Sequence, residues 1–275
     1  MRINQKTGYF VVSCIVFILI ATNSLFSNPG TASAEMSKQN SIHLKMGEFF
    51  ILYTKPSAPF IDQKKRLMIP LRSIQDLMGG KVSYDEQTKT ATVLWLGHTF
   101  ELKIDSYTAY VDRTSIKMDT KPTLIKGAMY LPLRLFLDYT DVSYTWDQKK
   151  GLLHLTDDRV LKGKVFEIFA GNDYADVKKD HAFDLLTYKI VQNKNKTSLI
   201  ITAKNMSGNK IEEGKSDIHP LLSFSNNGGF FTDSYTRPNN SSIQSVDKDE
   251  VITVTQNIES FKNVDYMISV GREMN

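Results

Sequence analysis

The sequence predicts an α+β protein whose second half is an all-β sandwich. Two observations lead to this fold class. A pattern of strand and helix signals occurs twice, in residues 67–93 and 129–155, at a constant offset of 62 residues. After residue 158, short β-type runs alternate with turn signals. Repetition at a fixed offset usually encodes a duplicated supersecondary unit, so it informs architecture first and chemistry only weakly.

Each copy of the repeat indicates a strand, a short helix and two further strands. The helices are predicted over 71–78 and 133–140, where apolar residues recur at helical spacing. A Pro-Leu-Arg step opens each helix, and proline suits a first helical turn because its missing amide hydrogen would have no partner there. Further strands are predicted at 49–53, 91–103 and 108–118, the last two as hairpins.

Two aromatic-aspartate steps occupy equivalent positions in the repeats, Tyr84-Asp85 in the first and Trp146-Asp147 in the second. The interpretation that we favour is structural. Each aromatic ring is buried against the sheet, and each aspartate caps a turn by accepting from backbone amides two residues further on. The alternative is functional, with Tyr84 and Trp146 forming a stacking platform for a sugar.

Arg72 and Arg134 are equivalent as well, each at the start of a predicted helix. An arginine can bind a carboxylate or phosphate ligand through two parallel hydrogen bonds. A repeated arginine at a helix start is more often an intramolecular partner, and Asp76 and Asp138 follow four residues later. The sequence therefore favours two ion pairs within the chain.

The N-terminus has the pattern of a secretory signal peptide. Arg2 and Lys6 precede an apolar run over 9–21, and the small residues Ala-Ser-Ala follow at 32–34. We predict a signal peptide over 1–34 and a mature chain that is secreted or associated with the cell wall. An uncleaved anchor is the alternative.

Composition excludes several classes of function. The single cysteine, Cys14, lies inside the predicted signal peptide, so the mature chain is expected to contain no disulfide and no thiolate ligand. Without Arg2 and Lys6 the formal net charge falls from +4 to +2, and the basic residues form no stripe for nucleic acid. We expect no membrane insertion after signal cleavage, because no later apolar run approaches the roughly 20 residues of a spanning helix.

Motifs in the first half carry a family resemblance. They are Ile104-Asp105, YTAYVD at 107–112, IKMD at 116–119, KPTLIKG at 121–127 and YLPLR at 130–134, with PFI at 59–61, IPLR at 69–72 and VSYD at 82–85 before them. In this order and spacing, residues 45–157 closely resemble the copper amine oxidase N-terminal-like family, also called stalk domains. The resemblance implies a small α+β module in which a twisted antiparallel sheet wraps a helix. It also implies a secreted or cell-envelope protein of a Gram-positive bacterium.

The resemblance does not imply amine oxidase activity. In copper amine oxidases the copper ligands and the tyrosine-derived quinone belong to a large catalytic domain, for which this chain has no room. The sequence has no Asn-Tyr-Asp or Asn-Tyr-Glu step to supply the quinone, and no Gly-x-Ser-x-Gly or His-Glu-x-x-His motif. No His-x-His pair begins a copper site, since the histidines are isolated at His43, His98, His154, His181 and His219. We therefore predict no catalytic residue, no cofactor and no metal ligand.

The second half, residues 165–275, is predicted as an immunoglobulin-like β-sandwich. Its β-type runs lie at 185–191, 197–204, 251–256 and 264–270. The change of pattern after residue 157 places a domain boundary at about 158–164.

An acidic segment at 173–184 leaves a metal site open as an alternative. Its aspartates offer oxygen ligands that calcium would accept, but their spacing matches no recognised loop and a solvated turn is the simpler interpretation. They are Asp173, Asp176, Asp180 and Asp184, with His181 among them. A second group is weaker still: Glu212, Glu213, Asp217 and His219.

These observations predict a non-catalytic exported protein that acts as a binding or spacer module at the cell wall or surface. Its expected partner is a cell-wall polymer or an envelope protein. Two alternatives remain open. One is an accessory or inhibitory subunit that binds an exported hydrolase. The other is an unrecognised cell-wall hydrolase, because paired carboxylates are defined by a distance in space that one sequence does not give.

Overall fold

The computed structural model describes residues 39–54, 58–193, 196–224, 230–231, 243–258 and 264–275. The predicted signal peptide lies outside these residues. Residues 36–275 form one compact unit. In the described part of the chain, no helix combines the length and apolar character needed to cross a bilayer.

The described residues are mostly β-strands with a few short helices. The strands up to residue 157 are β1 (Asn40–Ser41), β2 (Leu44–Met46), β3 (Phe49–Tyr53), β4 (Phe60–Ile61), β5 (Leu67–Pro70), β6 (Lys81–Asp85), β7 (Thr90–Trp95), β8 (His98–Lys103), β9 (Thr108–Val111), β10 (Thr114–Lys117), β11 (Thr123–Ile125), β12 (Ala128–Pro132), β13 (Tyr144–Asp147) and β14 (Leu152–Leu155). The helices are α1 (Arg72–Asp76), α2 (Leu133–Thr140) and α3 (Lys164–Asn172), with a 3-10 turn at Asp158–Val160.

The later strands complete the element order. They are β15 (Val177–Lys179), β16 (Phe183–Asn193), β17 (Lys196–Asn205), β18 (Ser216–Asp217), β19 (Pro220–Phe224), β20 (Phe230–Phe231), β21 (Val251–Ile258), β22 (Val264–Ser269) and β23 (Arg272–Met274). The strands predicted in both halves are confirmed, including the two hairpins β7–β8 and β9–β10.

Both sequence repeats contain the predicted strand, helix and two strands, as β5-α1-β6-β7 and β12-α2-β13-β14. One detail of the prediction was wrong. Pro70 and Pro132 are the last residues of β5 and β12 rather than members of a first helical turn. These two strands pair with each other, and a strand end tolerates proline because no further ladder hydrogen bond needs its amide.

The prediction that the second half is all-β was also wrong, because α3 lies within it. Its side chains Val165, Phe166 and Phe169 are buried in the core of the first half. Phe166 and Phe169 contact Phe49 of β3, with ring centroids 4.9 and 5.0 Å from that of Phe49. Four apolar residues in the five positions 165–169 are a short signal for a helix, and the tertiary contact decides the conformation.

A single sheet contains strands from both halves of the chain. Its order is β13-β14-β2-β3-β22-β19-β20, so β3 of the first half pairs directly with β22 of the second. The two strands are antiparallel, with Ile51 opposite Ile268 and Leu52 opposite Met267. The boundary predicted at 158–164 therefore separates segments that share one hydrogen-bonded sheet, and their independence as domains stays a prediction.

The shared sheet has a core on each face. Along β3, Phe49, Ile51 and Tyr53 point into the first core, and Phe50 and Leu52 point into the second. The first core lies on the side of the repeats, and the four-stranded sheet β1-β16-β17-β21 covers the second. A strand buried on both faces has a continuous apolar sequence, which explains the unbroken run at 49–53.

A half-buried cluster of basic side chains lies where β2, β14 and the turn before β16 meet. The ammonium of Lys45 is 3.1 Å from Nδ1 of His181, and the rings of His181 and His154 are 6.2 Å apart. Nε2 of His154 contacts the carbonyl oxygen of Gly47 at 2.8 Å. Burial, together with the Lys45 charge, lowers the pKa of both histidines. The folded protein therefore favours their neutral forms.

We expect stability to decrease as the pH falls below about 6.5, the ordinary histidine value. In that range the unfolded chain binds protons at His154 and His181 that the folded chain does not bind, so protonation favours unfolding. Urea midpoints at pH 7.5 and 5.5 measure the effect. The variant His181→Asn should reduce the difference between the two midpoints, because it removes one of the two histidines. Asparagine is the replacement because it accepts the left-handed φ of 55° at this position. If the wild type and the variant show the same pH dependence of stability, its assignment to these histidines is contradicted.

Candidate functional site

The acidic segment at 173–184 does not assemble a metal site in the structure. Its side chains have separate partners, which are Arg272 for Asp173, Asn275 for Asp176, Glu48 for Asp180, Lys150 for Asp184 and Lys45 for His181. Across the residues that the structure describes, no group of three His, Cys, Asp or Glu side chains is placed to hold a metal ion. The segment is a set of ion pairs and hydrogen bonds that tie the turn to neighbouring strands.

Asp217 and His219 belong to a buried network around Arg272. Asp217 Oδ2 accepts hydrogen bonds from Nε and Nη2 of Arg272 at 3.0 and 2.7 Å, and its Oδ1 is 2.7 Å from Nδ1 of His219. Burial alone would raise the pKa of Asp217, but the hydrogen bonds and charges of His219 and Arg272 lower it to about 2. Glu212 and Glu213 are exposed and take no part. A network closed to solvent serves stability rather than ligand binding.

The turn-capping role of the repeated aspartates is confirmed. Asp85 Oδ1 accepts from the amides of Gln87 and Thr88 at 2.8 and 3.2 Å. In the second repeat, Asp147 Oδ1 accepts from the amides of residues 149 and 150 at 2.9 and 3.1 Å. These bonds lower the pKa of both carboxyls. Neither aspartate needs a ligand to explain its position.

The predicted ion pairs of the repeated arginines are also confirmed. Arg72 lies 3.5 Å from Asp76, and Arg134 lies 3.4 Å from Asp138. Each pair spans one helical turn. The two arginine side chains are about half exposed, so the outer face of each guanidinium is open to solvent.

The prediction that the two repeated aromatic rings are buried was wrong. Tyr84 is 39% exposed and Trp146 is 37% exposed. Trp146 stands opposite Leu153, which is buried in the first core, so its side chain is on the inward face of the sheet. However, β13 and β6 are edge strands, and their side chains extend past the core. Alternation along a strand shows on which face of the sheet a side chain lies, but not whether the strand is at the edge of the sheet.

Trp146 lines a surface groove, which we call the Trp146 groove. The groove has a volume of about 170 Å³ and is lined by Lys65, Arg66, Leu67, Leu133, Arg134, Leu137, Tyr144, Trp146 and Leu153. Its four leucines are buried and form an apolar floor. Tyr144 is 38% exposed and lies on the same face of β13 as Trp146, two residues away, so two aromatic rings stand side by side above that floor.

The rim of the Trp146 groove is basic. Lys65 is exposed and forms no ion pair with any residue in the described ranges. Arg66 is bound by Asp119, with Nε 2.6 Å from Oδ2, and this bond lowers the pKa of that carboxyl. Arg66 and Arg134 also line an adjoining cavity of about 310 Å³. The groove therefore presents the charge of Lys65 next to exposed aromatic rings, while each of its two arginines is paired with an aspartate.

The lining of this site is apolar, aromatic and basic. Lys65 and Tyr144 are the lining side chains of a type that can donate or accept a proton. The volume of the groove is below the roughly 300–1,000 Å³ of pockets that enclose a small molecule. A shallow groove with exposed rings can instead hold part of a larger ligand against the surface.

The sequence indicated only part of this site. Trp146 and Arg134 were singled out because they repeat, and Tyr144 could have been found because residues i and i+2 of a strand share a face. Lys65 and Arg66 come from the other repeat, at the turn before β5. Their contribution depends on the pairing of β5 with β12, which no local sequence signal reports.

Comparison with protein families confirms the family resemblance of the first half. Residues 52–155 match the family described as copper amine oxidase N-terminal domain. The matched segment contains every residue that lines the Trp146 groove. A comparison with the curated proteins gave no significant match.

Proposed function

We propose, from the premise that residues 52–155 form a copper amine oxidase N-terminal domain of non-catalytic stalk type, that this protein is an exported binding module of a bacterial cell envelope. In this proposal residues 1–34 are its signal peptide, and its ligand is a sugar polymer of the Gram-positive cell wall. The domain itself contributes the binding surface.

The Trp146 groove is the observation that carries the proposal. Exposed aromatic rings beside an apolar floor offer a flat surface on which the apolar face of a sugar ring can stack. The basic rim adds attraction for carboxylate or phosphate groups along the same polymer. Because β13 is an edge strand, part of each ring remains open to a ligand at the surface.

The second half acts as a support in this proposal. In this proposal the strands that follow α3 form an immunoglobulin-like sandwich, and the two repeats descend from a duplicated unit. The shared sheet supports the idea, since it joins the binding domain rigidly to the second half and lets the protein act as a spacer.

Co-sedimentation with purified Gram-positive sacculi tests the proposal. We expect the mature chain, residues 35–275, to sediment with sacculi at physiological salt. The variant Trp146→Ala should weaken binding about tenfold or more, because an interface tryptophan commonly contributes about 2 kcal/mol or more. Tyr110→Ala is the matched control, since Tyr110 is a similarly exposed aromatic in a different sheet from Trp146 and does not line the groove.

Two results would contradict the proposal. One is a protein that stays in the supernatant at all salt concentrations. The other is release of soluble wall fragments by the purified protein, which would identify a hydrolase instead.

A further inference from the structure

A second groove on the same domain resembles the Trp146 groove. It has a volume of about 300 Å³, and the residues that matter here are Leu71, Arg72, Tyr84, Leu124, Lys126 and Met129. Leu71 and Met129 are buried below it, and Tyr84 and Leu124 are exposed beside it. We call it the Tyr84 groove.

A local two-fold axis relates the two grooves. The antiparallel pair β5–β12 is centred on Ile69 opposite Leu131, which are equivalent residues of the two repeats. On either side, Met68 is opposite Pro132 and Pro70 is opposite Tyr130. When each residue of one pair is replaced by its equivalent in the other repeat, 62 positions away, the other pair results. The pairing register is therefore that of two units related by a two-fold rotation about the centre of the strand pair.

The offset of 62 residues relates six of the nine residues that line the Trp146 groove to residues that line the Tyr84 groove, with Trp146 equivalent to Tyr84 and Arg134 to Arg72. In each groove an aromatic ring on an edge strand lies beside an arginine that pairs with an aspartate four residues later. The opposite rim comes from the turn before the other repeat's strand, with Lys65 before β5 and Lys126 before β12. The rim lysines occupy neighbouring rather than equivalent positions, because Lys65 corresponds to Gly127. Both lysines are exposed and lack an ion-pair partner within the part of the chain that is described.

The two grooves lie at opposite ends of the β5–β12 pair. Leu67 lines one groove and Pro70 lines the other, and these two ends of β5 are roughly 10 Å apart at about 3.4 Å per residue. A two-fold rotation reverses the direction of a chain that lies across the axis. A sugar polymer has a direction because its two ends differ. Two segments bound in the same way would therefore run antiparallel, as two neighbouring strands or one strand that folds back.

We propose that the Tyr84 groove is a second binding site for the same ligand, an anionic glycan, and that each molecule binds two glycan segments at once. This inference rests on the proposed function. Its chemical basis is the same in both grooves: an exposed ring for a sugar face, and an exposed lysine beside an arginine for the anionic group. Engagement of both sites strengthens attachment to a polymer because the second contact forms within the first complex.

The experiment compares five forms of the mature chain on immobilised sacculi: wild type, Trp146→Ala, Tyr84→Ala, the double variant and Tyr110→Ala. After washing, capture of fluorescent sonicated sacculus fragments by the bound protein is measured. Wild type and Tyr110→Ala should capture fragments. Each single variant should bind sacculi about tenfold or more weakly and capture none, and the double variant should bind at background.

The outcomes separate this inference from the proposed function. If Tyr84→Ala binds and captures fragments like wild type while Trp146→Ala loses both, the second site is refuted and the proposed function stands. If wild type does not bind sacculi at all, both fail.

Charge variants test the anionic part of the proposal. Lys65→Gln and Lys126→Gln should each weaken binding at low salt, while Lys103→Gln, an exposed lysine of β8 outside both grooves, should not. If the three variants bind equally well at low salt, the proposal that the ligand is anionic is overturned.

Discussion

Residues 35–160 and residues 161–275, produced as separate chains, are expected to be unfolded or aggregated. The reason is the position of β3 at the centre of the shared sheet. In the first fragment the β3 edge would be unpaired and Phe50 and Leu52 would face water. Each such side chain contributes roughly 1.5–3 kcal/mol when buried, against a total stability of about 5–15 kcal/mol for a typical domain.

Loss of α3 adds to the defect of the first fragment. Phe166 and Phe169 pack on Phe49 in the first core, and the cut removes both. The second fragment keeps α3 but loses β3, so one edge of β22 has no partner. Both fragments should therefore lack a cooperative thermal transition by circular dichroism. The matched control is the two fragments produced together, because they contain the same residues as the intact chain 35–275. A cooperative transition in residues 35–160 alone would contradict the shared-sheet account.

Replacement of Arg272 by methionine should reduce the free energy of unfolding by about 3–5 kcal/mol, the usual cost of removing one partner of a buried ion pair. Arg272 is 2% exposed and binds Asp217 and Asp173. Without it, the buried Asp217 carboxylate loses the hydrogen bonds that its Oδ2 accepts from Arg272. Urea unfolding at pH 7 measures the change.

An exposed ion pair provides the control for this substitution. Lys204 lies 3.0 Å from Asp249 in the same half of the chain, and Lys204→Met should have a much smaller effect because water screens the pair. The depressed pKa of Asp217, about 2, stabilises the folded protein above the ordinary aspartate value near 3.8, and this contribution is lost as the pH falls towards 2. If Arg272→Met and Lys204→Met unfold at similar urea concentrations, the buried network does not stabilise the protein as described.

Local rules predicted the local structure well. The strands, the hairpins and the order of elements in each repeat follow from alternation, helical spacing and turn residues. The capping by Asp85 and Asp147 also follows, because an aspartate acts on amides within three residues of itself. The ion pairs of Arg72 and Arg134 are equally local, one helical turn in length.

Long-range pairing could not be predicted in the same way. Ile51 and Ile268 are neighbours in the sheet, but more than 200 residues of chain separate them, and any apolar strand would offer a similar edge. The Trp146 groove has the same origin, because Lys65 reaches Trp146 only through the pairing of β5 with β12. The exposure of Tyr84 and Trp146 depends on sheet order, since alternation would have placed both rings in the core.

Tryptophan fluorescence tests the central claim most directly, that the Trp146 groove binds a wall polymer. The chain has two tryptophans. Trp95 is 2% exposed, and its Nε1 donates to the carbonyl of Met78 at 3.0 Å, so a ligand at the surface should not change its emission. Titration of the mature chain with solubilised wall polymer is predicted to change the emission of Trp146, and the change should be absent in Trp146→Phe. Binding without any change in emission, or an equal change in Trp146→Phe, would contradict the claim.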